Sequence, residues 1–187
     1  MNKISKGMPK LLVIAALSSA VLTGTAHASL LGSTVTVTGE YGCTNSTCAF
    51  GGPTTQVVTS STVFNAVAFD GTVTVTGTQL IWTATLAESY GGGGFNGFEF
   101  DFAGAPPITS VTVDPATTLG PSTANFPSGF QVIGNTVWMD LSGLSATAGQ
   151  ETILDITTSP VPLPASAWLM LSGLVGLGVM ARMRRAA

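Results

Sequence analysis

Between residues 29 and 160 the sequence has no lysine, arginine or histidine. All nine acidic residues lie in this segment and all six basic residues lie outside it, so its formal charge is −9, against −3 for the whole chain. A surface with this charge repels nucleic acids and anionic lipids. The segment also lacks imidazole and amine groups, which excludes the usual general base and Schiff-base chemistry. We therefore expect no nucleic-acid partner and no enzymatic activity.

Cysteine is scarce: Cys43 and Cys48 are the only two. In an exported protein they are expected to be oxidised to each other, closing a short loop that stiffens the chain locally. The alternative is half of a metal site. The absence of histidine from residues 29–160 disfavours that alternative, so we predict a disulfide and no metal ligand.

Helical periodicity is also missing between residues 29 and 160. Apolar residues instead alternate with threonine, serine or acidic residues, which is typical of short, half-buried strands. The pattern predicts an all-β fold over residues 29–156, an antiparallel β-sandwich of jelly-roll or Greek-key type. The ten predicted strands are 33–38, 55–60, 62–69, 72–76, 79–86, 95–102, 108–114, 130–133, 136–141 and 152–156.

One predicted strand shows its two faces clearly. Phe98, Phe100 and Phe102 alternate with Glu99 and Asp101, so the aromatic rings are predicted to build the core. The two carboxylates then share the opposite face, either as a calcium-chelating pair or as two solvated side chains. No loop has the dense spacing of acidic residues that is typical of calcium sites.

A glycine-rich stretch, residues 90–95, precedes that strand. It lacks the lysine and the following serine or threonine of a phosphate-binding loop, and no helical pattern follows it. We therefore predict a loop between two strands.

The N-terminus has the organisation of a secretory signal peptide. Three lysines precede an apolar run over residues 11–22, and Ala26 and Ala28 are the small residues that a signal peptidase recognises. The apolar run is too short to span a membrane stably. We predict a signal peptide over residues 1–28, with cleavage after Ala28.

The C-terminus combines a linker, an apolar segment and a basic end. Residues 165–181 carry no charge, and as a helix they would reach about 25 Å, close to the thickness of the hydrocarbon layer. Arg182, Arg184 and Arg185 follow and are expected to stay on the cytoplasmic side. We predict a linker over residues 157–164 and a single transmembrane helix with a basic stop over residues 165–187.

The residues before this helix resemble a known sorting motif. They are Val161, Pro162, Leu163, Pro164 and Ala165. With the apolar span and the arginine cluster, they resemble the VPLPA-CTERM variant of the PEP-CTERM tail. The resemblance implies export in a Gram-negative bacterium and recognition by an exosortase, a membrane-embedded cysteine protease-transpeptidase that cuts near the proline motif. The alternative interpretation is an ordinary C-terminal anchor with a proline-containing linker.

The sequence thus predicts an exported, non-enzymatic protein of the cell surface or extracellular matrix. Its predicted partners are signal peptidase, an exosortase, the membrane through the C-terminal helix and, after processing, extracellular polysaccharide. It is held in the inner membrane before processing and needs no cofactor. Two alternatives stay open: a calcium-assisted carbohydrate-binding module of the polysaccharide matrix, and a polysaccharide hydrolase that uses carboxylates alone.

Overall fold

The computed structural model describes residues 28–42, 48–50, 53–65 and 71–160. Within these ranges the chain is all-β and has no α-helix. The strands are β1 (Thr34–Tyr41), β2 (Thr54–Val57), β3 (Thr62–Asn65), β4 (Gly71–Val75), β5 (Gln79–Ala84), β6 (Glu88–Ser89), β7 (Asn96–Ala103), β8 (Ile108–Val113), β9 (Phe130–Ile133), β10 (Thr136–Asp140), β11 (Ser145–Ala146) and β12 (Glu151–Thr158).

The strands form two five-stranded antiparallel sheets. The first has the order β2-β1-β7-β10-β9 and the second the order β3-β4-β5-β12-β8, while β6 and β11 make a separate two-stranded pair. This arrangement confirms the predicted all-β class with antiparallel sheets and is consistent with a β-sandwich.

One hydrophobic core joins the two sheets. Phe98, Phe100 and Phe102 of β7 are all buried in it, as the alternating pattern predicted. Trp82 of β5 enters the same cluster from the second sheet and is fully buried. Burial of each large side chain contributes about 2–3 kcal/mol, so this cluster is the main force that holds the sheets together.

The observed strand bounds follow the predicted ones with a few differences. β9 matches its prediction residue for residue, whereas β2 ends at Val57 rather than at residue 60. The backbone N–H of Thr59 instead donates to Thr62 Oγ1 at 2.8 Å, which closes a turn into β3. The two-residue strands β6 and β11 were not predicted, because two residues carry no periodic signal.

The two ends of the two-sheet body are formed by different parts of the chain. We call one end the terminal pole, because the start and the end of the described chain meet there. At this end the Thr158 hydroxyl donates to the Ala28 carbonyl, and Leu30 N donates to Gly77 O at 2.8 Å. β1 then runs along its sheet for about 25 Å. It ends with Tyr41 directly opposite Asn96, at what we call the distal pole.

The predicted signal peptide and the predicted C-terminal membrane tail fall almost wholly outside the described residues. This applies to residues 1–27 of the signal peptide and to residues 161–187 of the tail. Among the residues that the structure does describe, no helix has the length and hydrophobicity needed to cross a bilayer.

Candidate functional site

A cleft of about 270 Å³ lies at the distal pole of the sandwich. Its size is close to the lower limit of small-ligand sites, which suits a small ligand or one unit of a polymer. Its walls come from chain segments that are far apart in sequence. The lining residues are Tyr41, Phe50, Glu88, Ser89, Gly91 and Asn96.

Tyr41 reaches this cleft because the glycine-rich stretch packs closely against the end of β1. A Cβ atom on Gly91 would lie 3.1 Å from the Tyr41 hydroxyl oxygen, and one on Gly94 would lie 2.9 Å from the Gly42 carbonyl oxygen. Gly42 N also donates to Phe95 O at 2.6 Å. A side chain at Gly94 would meet the Gly42 backbone and push the loop away from β1, whereas one at Gly91 would press on the end of the Tyr41 side chain. The close approach of the loop therefore helps to position Tyr41.

Phe50 enters the cleft from the segment that follows Cys48. Its backbone N–H donates to Gly39 O at 2.7 Å, and the preceding Ala49 forms a bridge with Glu40 of β1. These backbone contacts fix the segment against the sheet. The Phe50 side chain nevertheless stays 61% exposed, and the Tyr41 side chain is 53% exposed.

The polar side of the cleft comes from the small β6–β11 pair. β6 supplies Glu88 and Ser89 to the lining. The Ser89 and Ser145 hydroxyl oxygens lie 3.1 Å apart, which ties β6 to β11. A carboxylate and a hydroxyl group are therefore placed beside two exposed aromatic rings.

Asn96 lines the same cleft although its side chain is only 2% exposed. Its Nδ2 donates a long hydrogen bond to Gly91 O at 3.4 Å. Its Oδ1 is buried and has no hydrogen-bond partner among the described residues. An unsatisfied buried acceptor costs about 1–3 kcal/mol, so Asn96 marks a position where a donor from outside the chain would be favourable.

A second unusual group, Glu40, lies on the outer face of the first sheet. Its side chain is fully buried, and neither carboxyl oxygen has a well-formed hydrogen bond within the described residues. Thr38, two residues before Glu40 on β1, lies directly opposite Glu99 of β7, which puts the two carboxyl groups on one face. Burial raises the pKa of Glu40 to about 8, and the nearby Glu99 carboxyl adds to this increase. Glu40 is thus protonated at neutral pH.

Asp140 is the contrasting buried carboxylate, because its oxygens are well supplied with donors. Asn125 donates to Oδ2 from its backbone N–H at 3.1 Å and from its Nδ2 at 2.9 Å. Ser142 donates to Oδ1 from its backbone N–H at 2.9 Å and also from its hydroxyl. This network fastens residues 121–129 to the distal end of the first sheet, where the Phe126 ring also packs against Phe95 at 5.6 Å.

Of the predicted site residues, only Ala28 and Cys48 lie in the described part of the chain. Cys48 is not a free thiol, and its predicted partner Cys43 is outside the described residues, so the disulfide stays a prediction. The other predicted site residues also lie outside the described residues; they are Ala26, Val161, Pro162, Leu163, Pro164, Ala165, Arg182, Arg184 and Arg185.

The two carboxyl groups of the predicted pair on β7 have different surroundings. Glu99 is half-buried, whereas Asp101 is exposed and accepts a hydrogen bond from the Thr136 hydroxyl at 3.1 Å. No group of three or more histidine, cysteine or acidic residues that could hold a metal ion occurs in residues 28–42, 48–50, 53–65 and 71–160. These two side chains do not by themselves make an ion site, which needs six or more oxygens.

Sequence reasoning missed the cleft because its residues have no local pattern. Tyr41, Phe50, Glu88 and Asn96 lie on four separate segments. The pairing of β1 with β7, the pairing of β6 with β11 and the bridge between Glu40 and Ala49 bring these segments together. The one available signal was the glycine-rich stretch. Four consecutive glycines beside a tyrosine indicate a place where two backbones approach closely.

No protein-family model matches this chain. No curated protein and no solved structure matches it either.

Proposed function

We propose that this chain is an exported, non-enzymatic protein of the cell surface or extracellular matrix, delivered by a C-terminal exosortase sorting signal. The observation that carries the proposal is the order of features in residues 161–187: a proline motif, an uncharged span and three arginines. From the sequence, the prolines are expected to keep residues 161–165 extended and out of the predicted helix, which would leave this backbone open to a protease.

The geometry of the folded body supports this role. Ala28 and Thr158 are hydrogen-bonded to each other, so the proposed signal cleavage site and the start of the proposed tail lie at the same pole. A body held in the membrane by its tail would then present the distal pole, with its cleft, away from the bilayer. In this proposal the body is a jelly-roll or Greek-key sandwich, which the non-sequential pairings β1–β7 and β5–β12 support.

The absence of lysine, arginine and histidine from residues 29–160 supports a non-enzymatic role. The polysaccharide hydrolase alternative needs two carboxyl groups facing one cleft. Among the described residues that line the distal cleft, Glu88 is the only acidic one. We therefore propose a structural or binding role for the body.

The test replaces residues 161–164 with a Gly/Ser linker and compares the intact mass of the mature protein in a host that carries an exosortase. The native chain is expected to lose residues 1–28 and the membrane segment. The linker variant is expected to lose only residues 1–28 and to stay in the membrane fraction.

A variant with Ile133→Ala, at an exposed position on β9, leaves residues 161–187 unchanged, so it serves as the matched control and is expected to be processed like the native chain. The proposal is wrong if the linker variant reaches the same mature mass as the native chain. It is also wrong if the native chain keeps its C-terminus.

A further inference from the structure

We propose that the distal cleft binds a neutral glycan, with Tyr41 and Phe50 packing against sugar rings and Asn96 accepting a hydrogen bond from a sugar hydroxyl. The proposal goes beyond the sorting function, because it concerns the body of the protein and needs no exosortase. It depends on three independent properties of the cleft: its aromatic rings, its unsatisfied acceptor and its charge.

The two aromatic residues expose more than half of their surface at the cleft. Tyr41 and Phe50 are among the most exposed large hydrophobic side chains of the described residues, and both line one cleft. Exposed apolar side chains that cluster in a concave site mark a ligand surface. The C–H face of a sugar ring matches such rings, while the sugar hydroxyls stay available for polar contacts.

The unsatisfied acceptor, Asn96 Oδ1, indicates that the ligand must contain a hydrogen-bond donor. Asn96 lies directly opposite Tyr41 in the β1–β7 pairing, so the two side chains lie on the same face of the sheet. Asn96 Oδ1 needs a donor, and Ser89 and Glu88 add further acceptor oxygens on the same side of the cleft. A ligand rich in hydroxyl donors satisfies Asn96 Oδ1, whereas a purely apolar ligand leaves it unsatisfied.

The charge of the body selects among glycans. Residues 29–160 carry nine acidic side chains and no basic one, so the cleft has no cation to pair with a uronate, sulfate or phosphate group. Glu88 in the cleft wall would repel such a group directly. Between neutral and anionic glycans, these charges favour the neutral ones, and the size of the cleft suits one unit of such a polymer.

The test measures binding of neutral hexasaccharides to the full-length chain in a zwitterionic detergent without a sugar headgroup. The panel is cellohexaose, laminarihexaose, maltohexaose and mannohexaose, with an oligogalacturonate of the same length as the anionic comparison. Isothermal calorimetry is expected to show binding of at least one neutral sugar with a Kd of about 1 mM or tighter. The oligogalacturonate is expected to bind at least tenfold more weakly.

Tyr41→Ala and Phe50→Ala are each expected to weaken the binding about tenfold, because each removes a ring from the site. Both residues are more than half exposed, so these variants are expected to fold normally. Ile133→Ala, an exposed apolar residue outside the cleft, is the matched control and should leave the Kd unchanged.

Asn96→Ala is expected to abolish binding, because it removes the buried acceptor that has no partner among the described residues. Its melting temperature is compared with that of the native chain, since the substitution also removes the hydrogen bond from Asn96 Nδ2 to Gly91 O. Several results would overturn the proposal: no binding of any neutral hexasaccharide at about 10 mM, preferential binding of the oligogalacturonate, or unchanged binding in both aromatic variants. Loss of binding in EDTA would overturn it as well, because the proposed contacts include no metal ion.

Discussion

At the scale of single residues, Glu40 links the stability of the fold to pH. Its pKa is about 8 in the folded protein and near the ordinary value of 4.5 when the chain is unfolded. Between these values the folded state holds a proton that the unfolded state has lost. The contribution of Glu40 to stability is therefore fully present below about pH 4.5 and is lost as the pH rises towards 8.

Glu40→Gln is expected to remove this dependence, because glutamine has a similar shape and stays neutral. Relative to the native chain, the free energy of unfolding of the variant should increase with pH by up to about 1.4 kcal/mol per pH unit between pH 4.5 and 8. Urea unfolding at four or five pH values measures this difference. Asp101→Asn, at an exposed position of the same sheet, is the control and should follow the native profile. Parallel profiles of Glu40→Gln and the native chain would contradict the assignment.

The environment of Glu40 shows a limit of sequence reasoning at this scale. The alternation of β1 puts Glu40 on the outer face, where an acidic residue is expected to be solvated. The structure nevertheless buries it fully, with the Glu99 carboxyl of the neighbouring strand close by. The alternation of β1 predicts the face on which Glu40 lies, but it does not predict what covers that face.

At the scale of elements, the Asp140 side chain strengthens the attachment of residues 121–129 to the sheet. Two backbone hydrogen bonds also hold this segment, from Ser122 N to Asp140 O at 2.7 Å and from Asp140 N to Gly129 O at 3.0 Å. Asp140→Ala removes the acceptor of four donors on Asn125 and Ser142. The expected loss is about 3 kcal/mol in the free energy of unfolding, together with faster amide hydrogen exchange over residues 121–129. Denaturant unfolding and exchange mass spectrometry measure the two effects.

Asp101→Ala is the matched control for this prediction, because Asp101 is exposed and accepts one hydrogen bond from Thr136. Its expected effect is within about 0.5 kcal/mol. Equal effects of the two substitutions would show that the Asp140 network does not hold the segment.

The individual strands could be predicted largely from sequence, but their partners could not. Alternation identified β9 and the buried face of β7, because side-chain direction in a strand depends only on position along the chain. The pairing of β1 with β7, across more than 50 residues, depends on which faces bury best together. For this reason local sequence patterns could not predict the cleft, because that pairing helps to create it.

At the scale of the whole molecule, the body has acidic side chains and no basic ones between residues 29 and 160. Side-chain ion pairs cannot form within this segment, so its long-range electrostatic energy is mainly repulsive. Hydrophobic burial in the shared core of the two sheets has to offset that repulsion. Conditions that screen charge should therefore stabilise the folded state.

The melting temperature of the purified protein at pH 7 is expected to increase by several degrees between about 10 mM and 500 mM NaCl, because the Debye length falls from roughly 30 Å to about 4 Å. Proteins held by surface ion pairs lose that contribution in salt. The control is the same comparison at pH 4, where protonation of part of the carboxylates reduces the charge, and the shift should be smaller there. A melting temperature that is independent of salt at pH 7, or that decreases, would mean that repulsion among the nine acidic side chains does not limit the stability of this body.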